Sequence, residues 1–188
     1  MFTNATRALI ASTAIALAAP AFAESHAETG NPMVGGAAMF PAKNIVENAV
    51  NSADHTTLVA AVKAAGLVDT LMSDGPFTVF APVNTAFEAL PAGTVDTLLK
   101  PENKGMLTKI LTAHVVAGDL SAADIKRRAG SDGFYHMQTV SGDALSAQVK
   151  GNNIYMFDET GNVGKITISN VNQSNGVIHV VDTVLLPS

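Results

Sequence analysis

The sequence predicts an α+β domain, with helices in its N-terminal half and mainly antiparallel strands in its C-terminal half. Three observations carry this. Apolar residues recur at helical spacing from about Asn44 to Leu111. From Tyr135 onward the period falls to two. Gly-Asn and Asn-Gly pairs punctuate that second stretch, as turns between neighbouring strands require. Strands do not alternate with long helical crossovers, so a doubly wound nucleotide-binding fold is not expected. No internal repeat divides the chain. Its 188 residues suit one domain with a full hydrophobic core.

The chain opens on an export signal. Arg7 precedes an uncharged run, Leu9 to Ala19, then Pro20 and Ala21-Phe22-Ala23. This is the charged region, apolar region and small-residue cleavage site of a secretory leader, spanning residues 1–23. As a helix the apolar run would reach roughly 16 Å, too short for a hydrocarbon core of about 30 Å. Cleavage after Ala23 would leave no transmembrane segment. It would also remove Arg7 and take the formal charge from -5 to -6. Residues 24–42, rich in Gly, Ala and Pro, read as a flexible N-terminal tail or an arm on the domain, and residues 43–188 as the domain itself.

Within the domain, Ile45, Val46, Ala49 and Val50 share a first helical face. Asp54 or Thr56 is the expected cap of a second helix striped by Leu58, Ala61, Val62 and Ala65. Gly66 fits its C-terminal cap, because glycine enters the left-handed region without a Cβ penalty. Leu67, Val68 and Leu71 add a short helical turn. Phe77 to Ala81 is a buried strand, ended by Pro82, and Asn84 or Thr85 is expected to cap the turn that follows. Gly93 to Leu99 and Pro101 to Leu111 are helical, and His114 to Val116 extended. Ser121 and Asp124 make a capping box for a helix to about Arg128. Gly151-Asn152 and Gly161-Asn162 separate the later strands; Ile166 and Ile168 are placed on one side of the next, and Val177 to Leu186 closes the sheet.

Composition removes several kinds of chemistry. Without cysteine there is no disulfide scaffold, thiol catalysis or Cys-ligated metal. The five histidines, 26, 55, 114, 136 and 179, show no i,i+2 or i,i+4 pair and no His-Glu-x-x-His helix. Asp158 to Asn162 lacks the calcium-loop pattern and reads as a solvated turn. No nucleophile elbow or phosphate loop is present. The one basic cluster, Lys126-Arg127-Arg128, complements a helix C-terminus and is a candidate contact for anionic polysaccharide or lipid head groups. One such cluster on an acidic chain does not suit nucleic acid. No cofactor is expected.

Two segments carry a family resemblance. Gly75-Pro76-Phe77-Thr78-Val79-Phe80-Ala81-Pro82-Val83-Asn84-Thr85-Ala86-Phe87 resembles the first motif of fasciclin domains, and Asn175-Gly176-Val177-Ile178-His179-Val180-Val181-Asp182-Thr183-Val184-Leu185-Leu186-Pro187 the second. Between them, Leu111 to Gly118 is similar to the family's histidine-bearing strand, with His114 in place. The resemblance covers about Asn44 to Pro187. It implies helices packed on a wedge of β-strands, envelope or extracellular placement, and adhesion or matrix binding. Many adhesive members carry Tyr-His where this chain has Ala113-His114, and an Asp-Ile pair where it has Asn170-Val171, the candidate surface contacts. The first departure weighs against a tyrosine-dependent adhesion surface, the second against an integrin-type contact.

The motif residues also have a purely structural reading. Phe77, Val79 and Ala81 alternate with Thr78 and Phe80 as in a central strand, and Phe87 plugs the core. Val177, His179, Val181 and Leu185 fall on one face; Ile178, Val180 and Val184 on the other. His114 and His179 are read as neutral, hydrogen-bonded core histidines whose pKa values burial would lower. The expected function is an exported, non-enzymatic and monomeric interaction module, secreted or periplasmic, for an extracellular or envelope protein or glycan. The alternative is a periplasmic small-ligand carrier or hydrolase, which needs a pocket with polar groups converging near His114, His179 or Asp182.

Overall fold

A computed structural model describes residues 31–188; the expected leader and the first part of the tail lie outside the described residues. Among the described residues, seven α-helices are interleaved with seven strands. The helices are α1 (Ile45–Ala49), α2 (Thr56–Ala65), α3 (Val68–Met72), α4 (Asn84–Glu88), α5 (Thr94–Leu98), α6 (Lys104–Ala113) and α7 (Ala122–Arg128). The strands are β1 (Phe77–Pro82), β2 (Val115–Ala117), β3 (Phe134–Gln138), β4 (Ala144–Lys150), β5 (Asn153–Phe157), β6 (Val163–Gln173) and β7 (Gly176–Val181). They form one sheet in the order β2-β1-β7-β6-β5-β4-β3. Only β1 and β7 pair in parallel; every other neighbour is antiparallel. The Val140 amide, just past β3, donates to the Val115 carbonyl of β2 at 2.7 Å, so the sheet nearly closes on itself. The α+β class, with N-terminal helices on a mainly antiparallel sheet, is as the sequence predicts.

Local chemistry sets several boundaries. Gly66 ends α2 at a φ of 72°, where a Cβ would be strained. Ser121 and Asp124 form the expected capping box on α7, and Asn44 and Glu47 form another on α1. Neither Asp54 nor Thr56 caps α2. A 3₁₀ turn over Ala53–His55 leads into it instead, and the first amides are served from a distance. Ile166 and Ile168 do not share a side. The register of β6 on β7 shifts between them, which turns Ile166 to one core and Ile168 to the other. Regular structure in the last segment stops at Val181, five residues short of the expected strand end.

The sheet separates two apolar cores. One, on the helical side, collects Ile45, Leu58, Val62, Val79, Phe87, Leu111, Ile178 and Val180. The other lies within the curl of the sheet and holds Phe80, Ile125, Leu145, Met156, Ile166, Val181 and Leu185. β7 is buried along its whole length, as its two apolar faces predict. Residues 31–42, expected as a flexible tail or an arm on the domain, lie against the domain as an arm. Val34 and Met39 are buried in the helical core, and Asn31 exchanges two hydrogen bonds with the backbone of Asn172 in β6.

Candidate functional site

The two hallmark segments lie side by side. β1 and β7 run in register from Phe77 opposite Gly176 to Pro82 opposite Val181, with Phe80 opposite His179. Thr78 is fully buried; its hydroxyl donates to the Gly118 carbonyl at 2.7 Å and accepts from the Leu120 amide at 2.9 Å. Val79, Ala81, Phe87 and Val180 enter the helical core, and Phe80 the other. Gly176 is required where it stands, because a Cβ there would overlap the Phe77 carbonyl. Asn175 joins three elements. Its side-chain oxygen accepts from the Ile45 amide at 3.0 Å, and its amide group donates to the Leu71 and Ser73 carbonyls, each at 2.8 Å.

His114 and His179 are 2% and 0% exposed. His114 caps the C-terminus of α6, one residue before the strand on which it was expected. Its Nδ1 donates to the Ile110 carbonyl at 2.8 Å, and its Nε2 accepts from the Leu185 amide at 2.9 Å. The Nε2 of His179 donates to the Leu120 carbonyl at 2.7 Å, and its Nδ1 accepts from the Asn170 amide at 3.3 Å. These partners require opposite neutral tautomers in the two rings. Burial pushes His114 down to about 4, against smaller opposing effects from the Ile110 carbonyl and Asp158. It lowers His179 likewise, opposed by the Leu120 carbonyl and Asp119. The rings do not bond to one another, and each is stitched to a different loop.

Asn84 does not cap its own helix. Its side-chain oxygen accepts from the Thr57 amide at 3.0 Å and the Thr56 hydroxyl at 3.2 Å, while its amide donates to the Ala53 carbonyl at 2.8 Å. It therefore supplies the missing N-terminal cap of α2 from across the chain. Val171 is corrected from surface contact to core residue: it is 1% exposed and packs in the helical core. Asn170 is half-buried, sits at a φ of 60° that Asn tolerates better than most side chains, and accepts from the Ala122 amide at the start of α7. The basic cluster is individually engaged. Lys126 donates to Asn152, Arg127 pairs with Asp124, and Arg128 donates to the Tyr135 hydroxyl.

His114, His179 and Asp182 do not converge. A cavity of about 80 Å³ lies between the helices and the sheet; His114 lines it with both ring nitrogens already bonded, and neither His179 nor Asp182 reaches it. Asp182 is exposed and accepts from the Lys165 amide at 2.7 Å. The arrangement supplies no acid–base pair from the three. Sequence reasoning left His55 at a helix start without a role. It too lines the cavity, at 3% exposed. Ser52, three residues earlier, was the only local signal, and its hydroxyl contacts His55 Nδ1 at 2.9 Å. Among the described residues no cluster of three or more carboxylates and histidines is placed to hold a metal.

A fasciclin-domain model matches residues 53–187. The chain belongs to the fasciclin family. It is similar to protein sll1483 of Synechocystis sp., 45% identical over 182 residues that cover 96% of this chain and 94% of that protein. It is 37% identical over 164 residues to immunogenic protein MPB70 of Mycobacterium bovis, covering 85% of this chain and 75% of the other. A FAS1 domain pair from the insect cell adhesion molecule fasciclin I shares the fold, with a TM-score of 0.68 at 17% identity over 77% of this chain and 51% of that one. Fasciclin domains are generally non-catalytic adhesion or interaction modules. In this fasciclin domain the hallmark residues are spent on the fold: Phe77 to Pro82, Asn84, Phe87, Asn175, Gly176, His179 and Val180 each pack or bond internally.

Proposed function

We propose that this fasciclin domain is exported and works outside the cytoplasm as a non-enzymatic attachment module for a protein or glycan of the envelope or matrix. The observation that carries the reading is the internal use of the hallmark residues. Their polar atoms are satisfied within the domain, so a partner is left with the outer faces of helices and loops. Membership of a family that includes a cell adhesion molecule supports it. The leader motif supports export, and among the described residues no helix is long and apolar enough to cross a membrane.

The test immobilises residues 24–188 and challenges them with envelope and matrix fractions at low and moderate salt. A saturable protein or glycan partner is expected. Recovery of nothing saturable at any salt would overturn the proposal. The export half is checked separately, by N-terminal sequencing of protein from the periplasm and medium. A start at Glu24 is expected; intact leader on folded cytoplasmic protein would refute it.

A further inference from the structure

Besides the helices and loops, one face of the sheet is open to a partner. In β3, β4 and β5 the residues that alternate with the strand-side core point outward, and strand pairing aligns them in rows. One row runs Phe134, Gln148, Tyr155, Lys165; the next runs His136, Ser146, Phe157, Val163. None of Phe134, Tyr155, Phe157 and Val163 joins either apolar core. The rings meet one another instead. Phe134 and Phe157 lie with centroids 5.8 Å apart, and Phe134 stacks on His136 at 6.1 Å. The solvent side of an antiparallel sheet is ordinarily polar; here half-buried rings alternate with Gln148 and Ser146. The charge of the face also opposes that of the chain. The formal net charge is -5, yet neither row holds an acidic residue. Lys165 ends the first row, and Lys150, opposite Asn153, adds a second cation with its ammonium 5.8 Å from the centre of the Tyr155 ring. Among the described residues neither lysine pairs with a carboxylate; the ion pairs are Lys109 with Asp143 and Arg127 with Asp124. The flanking carboxylates of Asp132, Glu159 and Asp182 accept from the backbone amides of Phe134, Ala144 and Lys165.

We propose that the outer face of β3, β4 and β5 binds an acidic polysaccharide, one built of uronic acid units. This rests on the attachment reading above and names its partner. Aromatic π faces are negative and attract the C–H bonds on the flat side of a pyranose ring, so sugar units lie on Phe134, Phe157 and Tyr155. Their carboxylates pair with Lys150 and Lys165 through charge-assisted hydrogen bonds. Their hydroxyls suit Gln148 and Asn153, whose amide groups both donate and accept. A neutral sugar would leave the two lysines without a task. A peptide strand docks on a free sheet edge, whereas these residues form a face. A bilayer selects protruding apolar side chains, and the rings here are half-buried among polar ones.

Oligogalacturonate and a neutral glucan of the same length are the probes. Each is titrated into isotope-labelled protein of residues 24–188, with backbone amides and aromatic side chains observed by NMR. Oligogalacturonate should bind saturably and shift the resonances of β3, β4 and β5. The glucan should bind about tenfold more weakly, and added salt should narrow that gap by screening the lysines. Tyr155→Ala should weaken both probes, whereas Tyr155→Phe, which keeps the ring, should not. Lys150→Gln combined with Lys165→Gln should erase the preference for the acidic sugar. Absence of saturable oligogalacturonate binding overturns the face. So does equal affinity for the two probes, or a shift map centred on Lys126 to Arg128. A partner caught from envelope fractions by the same protein would still uphold the attachment reading, so the two readings fail separately. If a variant fails to fold, the wild-type shift map and the salt dependence still decide.

Discussion

His114 shows how one side chain sets a property of the whole domain. Burial holds its folded pKa at about 4, while the unfolded chain keeps the ordinary 6.5. Between those values the unfolded state binds a proton that the folded state refuses. Stability is therefore full above about pH 6.5, falls as the pH drops toward 4, and levels off below. The shift corresponds to about 3 kcal/mol, most of it gone by pH 4.5. His55 and His179 are lowered in the same direction and add to the same window. Asp158 acts lower. Burial works to raise it, but hydrogen bonds from the Leu186 amide, Asn162 and Thr160 outweigh that and hold it below 3.8, so its contribution fades only in stronger acid. Urea midpoints at pH 7.5 and 4.5 check this; His114→Gln should flatten the dependence, and an unchanged wild-type midpoint would contradict it. Burial of His114 and His179 was legible, because Val115 and Val116 follow the one and Ile178 and Val180 flank the other. Their tautomers were not, since the deciding partners, Leu185 and Leu120, stand 71 and 59 positions away.

At the scale of elements, the β1–β7 pair and the turn feeding it position everything else. Asn175 and Gly176 read in the sequence as a turn, and they are one. What spacing could not show is that the Asn175 side chain bonds α1 and the end of α3 while Gly176 lets β1 approach. Strand identity was readable because the period of two survives from Phe134 to Phe157. It failed in β6, where an irregular register rotates Ile168 away from Ile166. Caps within one segment, such as Ser121 with Asp124, were readable; the cap that Asn84 lends to α2 comes from 27 positions away and was not. Two expectations follow. Asn84→Ala strips that cap and should cost about 1–2 kcal/mol. Asn175→Ala leaves one amide and two carbonyls without their partner, two of the three bonds being buried, and should cost about 3 kcal/mol. Denaturant unfolding measures both, and hydrogen exchange should place the Asn175→Ala loss first in α1. An Asn175→Ala protein as stable as the parent would remove the joining role.

At the scale of the molecule, two cores share one sheet, and the final segment fastens them together. Beyond β7 the chain has no regular structure, yet Val184 enters the helical core and Leu185 the other. The Leu185 amide is held by His114 at the end of α6, and the Leu186 amide by Asp158 between β5 and β6. With β7 buried on both faces, neither core can open without exposing the strand that serves the other. One cooperative transition should result. The chain offers a direct reading of it: there is no tryptophan, and both tyrosines, Tyr135 and Tyr155, lie on β3 and β5, outside the helical core. Tyrosine fluorescence thus follows the strand side and far-ultraviolet dichroism the helical side. Leu185→Ala deletes a side chain 1% exposed in the strand-side core and should cost about 2–5 kcal/mol. Because the cores are coupled, both signals should shift to the same lower midpoint. A tyrosine transition that moves while the helical one stays would mean that the cores unfold separately, and that the last segment packs on the domain without binding its halves into one unit.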